Sequence, residues 1–225
     1  MTFSIVGRCA RTGMLGVAIT TSSICVGARC PWARAGVGAV TTQNVTDPRL
    51  GPEVLDLLAA GHGAGEAIAR VTKGRADIAY RQLAAIDSRG GTAAFTGESV
   101  LGTHRVAEGA GCIAAGNLLA TTEVVEAMVA DFAEVPANHL AERLLNALAA
   151  GLAAGGEEGA VHSAALLVVD RQPWPLVDLR VDWDDANPVA ALTRLWRDYA
   201  PQMDAYVARA LAPSSAPRYG VPGDE

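Results

Sequence analysis

Apolar and polar positions along the first forty residues follow a strand period. Residues 3–8 form a short β-type run, Arg11-Thr12-Gly13 is a turn, and residues 15–20 resume with β-branched side chains, which predicts a hairpin. Residues 36–43 (GVGAVTTQ) predict a further strand, in which Gly36 and Gly38 permit close approach on one face. The period then changes. Apolar residues recur at helical spacing over 52–60 and 64–71, and Gly61-His62-Gly63 separates the two helices. Residues 81–87 and 92–96 flank Ser88-Arg89-Gly90-Gly91, a second hairpin signal, and 100–106 and 112–115 predict two more strands. Two Ala/Leu-rich helices follow, over 121–132 and 137–154. Residues 163–170 (SAALLVVD) are the most apolar strand, paired through Arg171-Gln172-Pro173 with 176–181. Asn187-Pro188 then opens a last helix with an N-cap and a first-turn proline.

The order is strands, two helices, strands, two helices, strands, helix. Strict strand–helix alternation is absent, so a doubly wound parallel sheet is the weaker solution. Two mainly antiparallel sheets packed face to face, each covered outside by helices, satisfy the pattern: an α+β chain in four αββα layers. Residues 1–212 are expected to form a single domain, and 213–225, rich in Pro, Gly and Ser, an extended tail.

Composition narrows the function. Of 225 residues 50% are hydrophobic and only 5% aromatic, so the layers must be closely packed by small side chains. The formal net charge is -6 and Lys73 is the only lysine, which argues against nucleic acid as a partner. No stretch approaches the roughly 18 apolar residues of a membrane span, and MTFSIVGR lacks the form of a signal peptide, so a cytoplasmic chain is expected. Cys9, Cys25, Cys30 and Cys112 lack zinc-like spacing and read as structural thiols; no metal and no organic cofactor is expected. Glycine-rich strands and Trp-bearing helices suggest a homodimer or higher homo-oligomer.

Familiar catalytic signatures are missing. Gly61-His62-Gly63-Ala64-Gly65 follows a helix rather than a strand, there is no G-x-S-x-G elbow and no phosphate loop, and the four histidines are isolated. The amino terminus remains. Thr2 is small enough for the preceding Met to be removed, which would leave a hydroxyl nucleophile and a free α-amine in one residue. An unperturbed α-amine has a pKa of about 7.7 to 8.0 and can serve as the base near neutrality. No lysine is then needed. Thr2 also leads directly into the first strand, where a catalytic group can be held rigidly at a sheet end.

MTFSIVGR, VGARCPWARAGVGAVTTQNVTDPRLGP, YRQLAAIDSRGGTAAFTG, GCIAAGNLLA, SAALLVVD and DLRVDW together resemble the blocks of the domain of unknown function 1028 family, a bacterial and archaeal group assigned to the N-terminal-nucleophile (Ntn) hydrolase superfamily. The resemblance runs from Thr2 to about Tyr199, with six blocks in order. It implies a four-layer αββα sandwich and hydrolysis of an amide C–N bond, in a small and possibly cyclic metabolite, with Thr2 as nucleophile. Asn117 and the backbone amide of Gly116 are the first candidates for oxyanion donors, although Asn117 equally suits a turn. Thr21 and Ser22 follow the second strand and could face Thr2. The family often carries a basic residue at the position of Ser22. Gln43 and Asn44 end the third strand and could recognise a substrate amide or carboxylate. His104 and His162 are weaker candidates; the family usually has a long polar side chain at the position of His162. Arg180 shares a strand face with Asp178 and Asp182, which suits a structural ion pair or a charged substrate. The other reading is a catalytically silent protein of the same fold that binds a metabolite or a partner.

Overall fold

The computed structural model describes residues 1–223, and places ten strands and six α-helices in the expected order. The strands are β1 (Thr2–Arg8), β2 (Leu15–Thr21), β3 (Pro31–Arg34), β4 (Gly38–Asn44), β5 (Arg81–Asp87), β6 (Thr92–Thr96), β7 (Arg105–Gly109), β8 (Cys112–Asn117), β9 (Ser163–Val169) and β10 (Val177–Val181). The helices are α1 (Leu50–Ala59), α2 (Ala64–Thr72), α3 (Glu123–Glu134), α4 (Leu140–Ala153), α5 (Pro188–Tyr199) and α6 (Met203–Leu211). One sheet has the order β10-β9-β2-β1-β8-β7 and the other β3-β4-β5-β6, and every ladder is antiparallel.

Alternation along each strand decides what lies between the layers. On β1, Phe3 and Ile5 turn outward to Phe132 of α3 and Leu144 of α4, in a cluster that Leu192 and Trp196 of α5 complete. Val6 turns inward and packs with Val17, Ala39, Ala84, Ile86 and Ile113 between the two sheets. Val40 and Leu83 face the other way, against Val54 and Leu55 of α1 and Ile68 of α2. The four layers αββα follow from these three apolar seams. Small residues permit them to close: a Cβ on Gly7 would stand 2.8 Å from the Phe132 ring, so only glycine admits α3 at that spacing.

The differences from the pattern are local. β3 is a strand the pattern does not announce, four residues long and made by pairing Trp32 with Val40. The strand expected over 100–106 lies instead at Arg105–Gly109, where it pairs with β8 along the sheet edge. Asn187 caps α5 as expected, its side chain accepting from the Ala190 amide at 2.9 Å. His139 caps α4 and stacks on Trp196. The segment after α6 is held by Arg209, which donates to the carbonyls of Pro217 and Arg218; residues 224–225 of the expected tail lie outside the described residues. Among the described residues no helix is long and apolar enough to cross a membrane. The four cysteines are unpaired, and the described residues bring no three metal-ligating groups together.

Candidate active site

The inward face of the sandwich is apolar until its end at the start of β1, where it becomes polar. In register, Thr2 stands opposite Thr21 of β2 on one side and Asn117 of β8 on the other, so all three side chains share the face between the sheets. The Thr2 and Thr21 hydroxyls are 3.1 Å apart. Both also donate to the carbonyl of Met1, and the Met1 side chain reaches toward Gly159.

Directly beneath lies a closed hydrogen-bond network. Ser4 Oγ donates to Gln43 Oε1 at 2.7 Å, and Gln43 Nε2 donates to Gln82 Oε1 at 2.8 Å and to the Ala115 carbonyl. Gln82 Nε2 in turn donates to the Gly116 carbonyl at 3.0 Å, and Asn117 Nδ2 donates to Gln82 Oε1 at 3.1 Å. Ser4, Gln43, Gln82 and Asn117 are all wholly buried, which is tolerable only because these partners exist. The network also fixes each amide's orientation. The Gly116 carbonyl requires the Gln82 nitrogen; the Gln82 oxygen then requires the Asn117 nitrogen, and Asn117 Oδ1 is left buried without a partner. Asn117 is the last residue of β8 rather than part of a following turn. It therefore presents to the Thr2 end an acceptor and one remaining N–H, where a pure donor was expected. Gly116 pairs across both ladders, opposite Phe3 and Arg105, and a Cβ there would strike Leu119 at 2.5 Å.

The sequence pattern gives no hint of Glu157. It follows α4 through Gly155 and Gly156, whose positive φ values of 122° and 60° turn the chain back toward the Thr2 end. Leu119 forms a bridge with Glu157, and the Ala120 amide bonds the Gly156 carbonyl, so the loop is pinned to the segment after β8. The carboxylate is buried: Oε2 accepts from the Ser22 amide at 3.3 Å, and Oε1 has no partner. Burial pushes its pKa up to about 8, against the opposing pull of the nearby chain amino terminus and the Ser22 amide. A carboxyl with that pKa can hold or release a proton near neutrality.

The other expected positions lie apart from this cluster or serve the scaffold. Ser22 reaches it through its backbone. Asn44 sits at φ 71° on the helix-facing side of β4 and ties two loops, donating to the Tyr80 carbonyl and accepting from the Leu101 amide. His104 is exposed, its ring against the Gly102 carbonyl. His162 donates its backbone amide to the Thr21 carbonyl, while its ring stacks on Trp183, 4.3 Å between centroids, with Asp185 3.4 Å from Nδ1. Arg180 is paired with Asp178 on the exposed face of β10, three strands from Thr2.

The model of a family of unknown function, DUF1028, matches residues 2–192. This chain belongs to the DUF1028 family. A DUF1028 protein from Silicibacter pomeroyi, known from a crystal structure, is 36% identical, with 88% of this chain and 86% of that one covered and a TM-score of 0.83. Anbu, an ancestral β-subunit, from Yersinia bercovieri is 11% identical over 90% of this chain and 96% of its own, at a TM-score of 0.43. An Anbu mutant from Hyphomicrobium sp. strain MC1 is 13% identical over 98% and 100%, at 0.40. No functionally curated protein matches.

Proposed function

We propose that this DUF1028 chain is an N-terminal-threonine amidohydrolase, active after loss of Met1, that cleaves the C–N bond of a small linear or cyclic amide in the cytoplasm. The observation that carries the reading is the convergence of the Thr2 hydroxyl, the Thr21 hydroxyl, the Asn117 carboxamide and the Glu157 carboxyl around the start of the central strand β1.

In this reading the Met1 carbonyl occupies the position next to both hydroxyls that a substrate carbonyl would take. Removal of Met1 exposes that position and creates the Thr2 amine. The Thr2 oxygen then attacks the amide carbon while the amine accepts the hydroxyl proton, directly or through a water. A tetrahedral oxyanion forms, the C–N bond breaks, and the amine passes the proton to the departing nitrogen. Water, deprotonated by the same amine, attacks the acyl ester; the acid leaves and Thr2 regains its proton. Thr21 and the remaining Asn117 N–H are the donors for the oxyanion, and Asn117 Oδ1 accepts from the amine. Glu157 acts as a positioning residue for the amine.

The test is intact mass together with turnover of a panel of small linear and cyclic amides. The mature chain is expected to begin at Thr2, and Thr2→Ala to lose at least about 10³-fold in kcat while unfolding at the wild-type urea concentration. Retention of Met1 in active protein, or undiminished turnover in Thr2→Ala, overturns the mechanism. Retention of Met1 with no turnover would leave the silent binding protein of the same fold.

A further inference from the structure

A cleft of about 690 Å³ lies at the far end of β1 from Thr2. Four arginines line it, and they come from four separate places in the fold. Arg8 ends β1, Arg11 sits in the β1–β2 turn, Arg89 in the β5–β6 turn of the other sheet, and Arg143 in α4. Pro136 and Ala137, from the α3–α4 loop, supply apolar wall. Among the described residues no acidic side chain lines the cleft. In a chain of net charge -6, four cations gathered with a single carboxylate nearby, that of Asp87 behind Arg89, are an unusual local inversion.

Among the described residues only Arg89 of these arginines has a carboxylate within ion-pair distance, and the partners of the other three carry no opposite charge. Arg143, 7% exposed, donates Nε and Nη2 to the Phe132 carbonyl and lies 3.8 Å over the Phe132 ring. These contacts satisfy hydrogen bonds and leave the charge uncompensated. Burial accordingly lowers its pKa, with only the thiols of Cys9 and Cys112 opposing. Arg11 donates to the Ala137 carbonyl. Arg89 stands 3.8 Å from Asp87, whose oxygens already accept from the amides of Ala64, Arg89 and Gly91. Arg8 makes no ion pair among the described residues, and its Nε is buried without a hydrogen-bond partner. A buried N–H of that kind costs free energy until something accepts from it.

We infer that this cleft is a binding site for an oxyanion, the phosphate or carboxylate group of a small metabolite, held by Arg8, Arg11, Arg89 and Arg143. Guanidinium forks match either group bidentately, and the cleft's volume admits a small organic body against Pro136 and Ala137. The seven-residue strand β1 has Thr2 at one end and Arg8 at the other, about 20 Å apart, so the ligand is not the amide at Thr2 and the inference stands whether or not Thr2 is a nucleophile.

Calorimetric titration at fixed ionic strength with inorganic phosphate, glycerol phosphate and succinate tests it. At least one is expected to bind one-to-one with Kd below about 10 mM. That binding should weaken at least about tenfold in Arg8→Gln or in the exposed pair Arg11→Gln/Arg89→Gln. Preference for the phosphates over succinate, or the reverse, tells which oxyanion the site takes. Absence of binding by all three, or undiminished binding in both variants, overturns the proposal.

Discussion

The two ends of β1 carry opposite solutions to the problem of burying polar groups. At the Thr2 end, Ser4, Gln43, Gln82 and Asn117 are neutral and exchange hydrogen bonds among themselves, and the buried acid Glu157 responds to burial by holding its proton up to about pH 8. At the Arg8 end the buried group is a guanidinium, which cannot shed its charge at any pH proteins meet. It leans instead on a carbonyl and a ring. A neutral network specifies geometry and is complete without a ligand, except where Asn117 Oδ1 and Glu157 Oε1 are left over. An assembly of fixed charges is complete only with a counter-charge. The first suits a site that positions reacting groups, and the second suits one that captures an anion.

The largest expected effect at the Thr2 end is chemical, the loss of at least about 10³-fold in kcat in Thr2→Ala. Thr2→Ser should retain measurable turnover, since it keeps hydroxyl and amine together. The next is a pH effect. Below about pH 4.5 Glu157 is protonated in folded and unfolded chains alike; from there to about pH 8 the folded chain keeps a proton that the unfolded chain has released. Stability therefore falls as pH rises through that window. For the chain carrying Met1, Glu157→Gln should flatten the curve of unfolding free energy against pH from 5 to 8, with a gain of a few kcal/mol at the alkaline end, on the order of that expected for a shift of this size. Urea denaturation at a series of pH values measures it. A wild-type curve that does not fall across the window would show that Glu157 is ionised in the folded chain.

Gln82→Leu should cost about 3 kcal/mol, because it strands the Gly116 carbonyl, the Asn117 amide and part of the Gln43 amide in an interior that water does not reach. The corresponding truncation at the other end, Arg11→Gln, should change stability by less than about 0.5 kcal/mol, since the side chain is exposed and gives up a single bond to Ala137. Urea midpoints for the two variants compare a closed network with an open one directly.

The two ends were unequally legible from sequence. Thr2 and Thr21 stand out because a predicted hairpin sets them across from each other, and Gln43 because it is a polar residue at the end of a strand; register does the rest. β5 and β6 keep the expected bounds because Ser88-Arg89-Gly90-Gly91 turns where the pattern breaks. β3 does not announce itself, and the pattern sets β7 too early: each is held by a neighbour, β4 or β8, and carries too few apolar residues to show its bounds alone. Glu157 resembles any solvated glutamate after a helix until Gly155 and Gly156 fold it back against Ser22. Gln82 opens a strand whose apolar members draw the eye. The arginine cleft is illegible in principle from one chain position, because its four members lie as far apart as residues 8 and 143 and meet only when two sheets and a helix have packed.

The smallest prediction tests whether the two ends are independent. A ligand that binds only the folded state stabilises it by RT ln(1 + [L]/Kd), about 1.4 kcal/mol at ten times Kd. The oxyanion that proves tightest should raise the unfolding free energy of wild type, Thr2→Ala and Glu157→Gln by that same amount, and that of Arg8→Gln by much less. Groups about 20 Å apart with no shared partner add to within about 0.5 kcal/mol. An increment in Glu157→Gln that departs from the wild-type value by more than this would mean that β1, the strand that carries both Thr2 and Arg8, transmits occupancy of the arginine cleft to the Thr2 site.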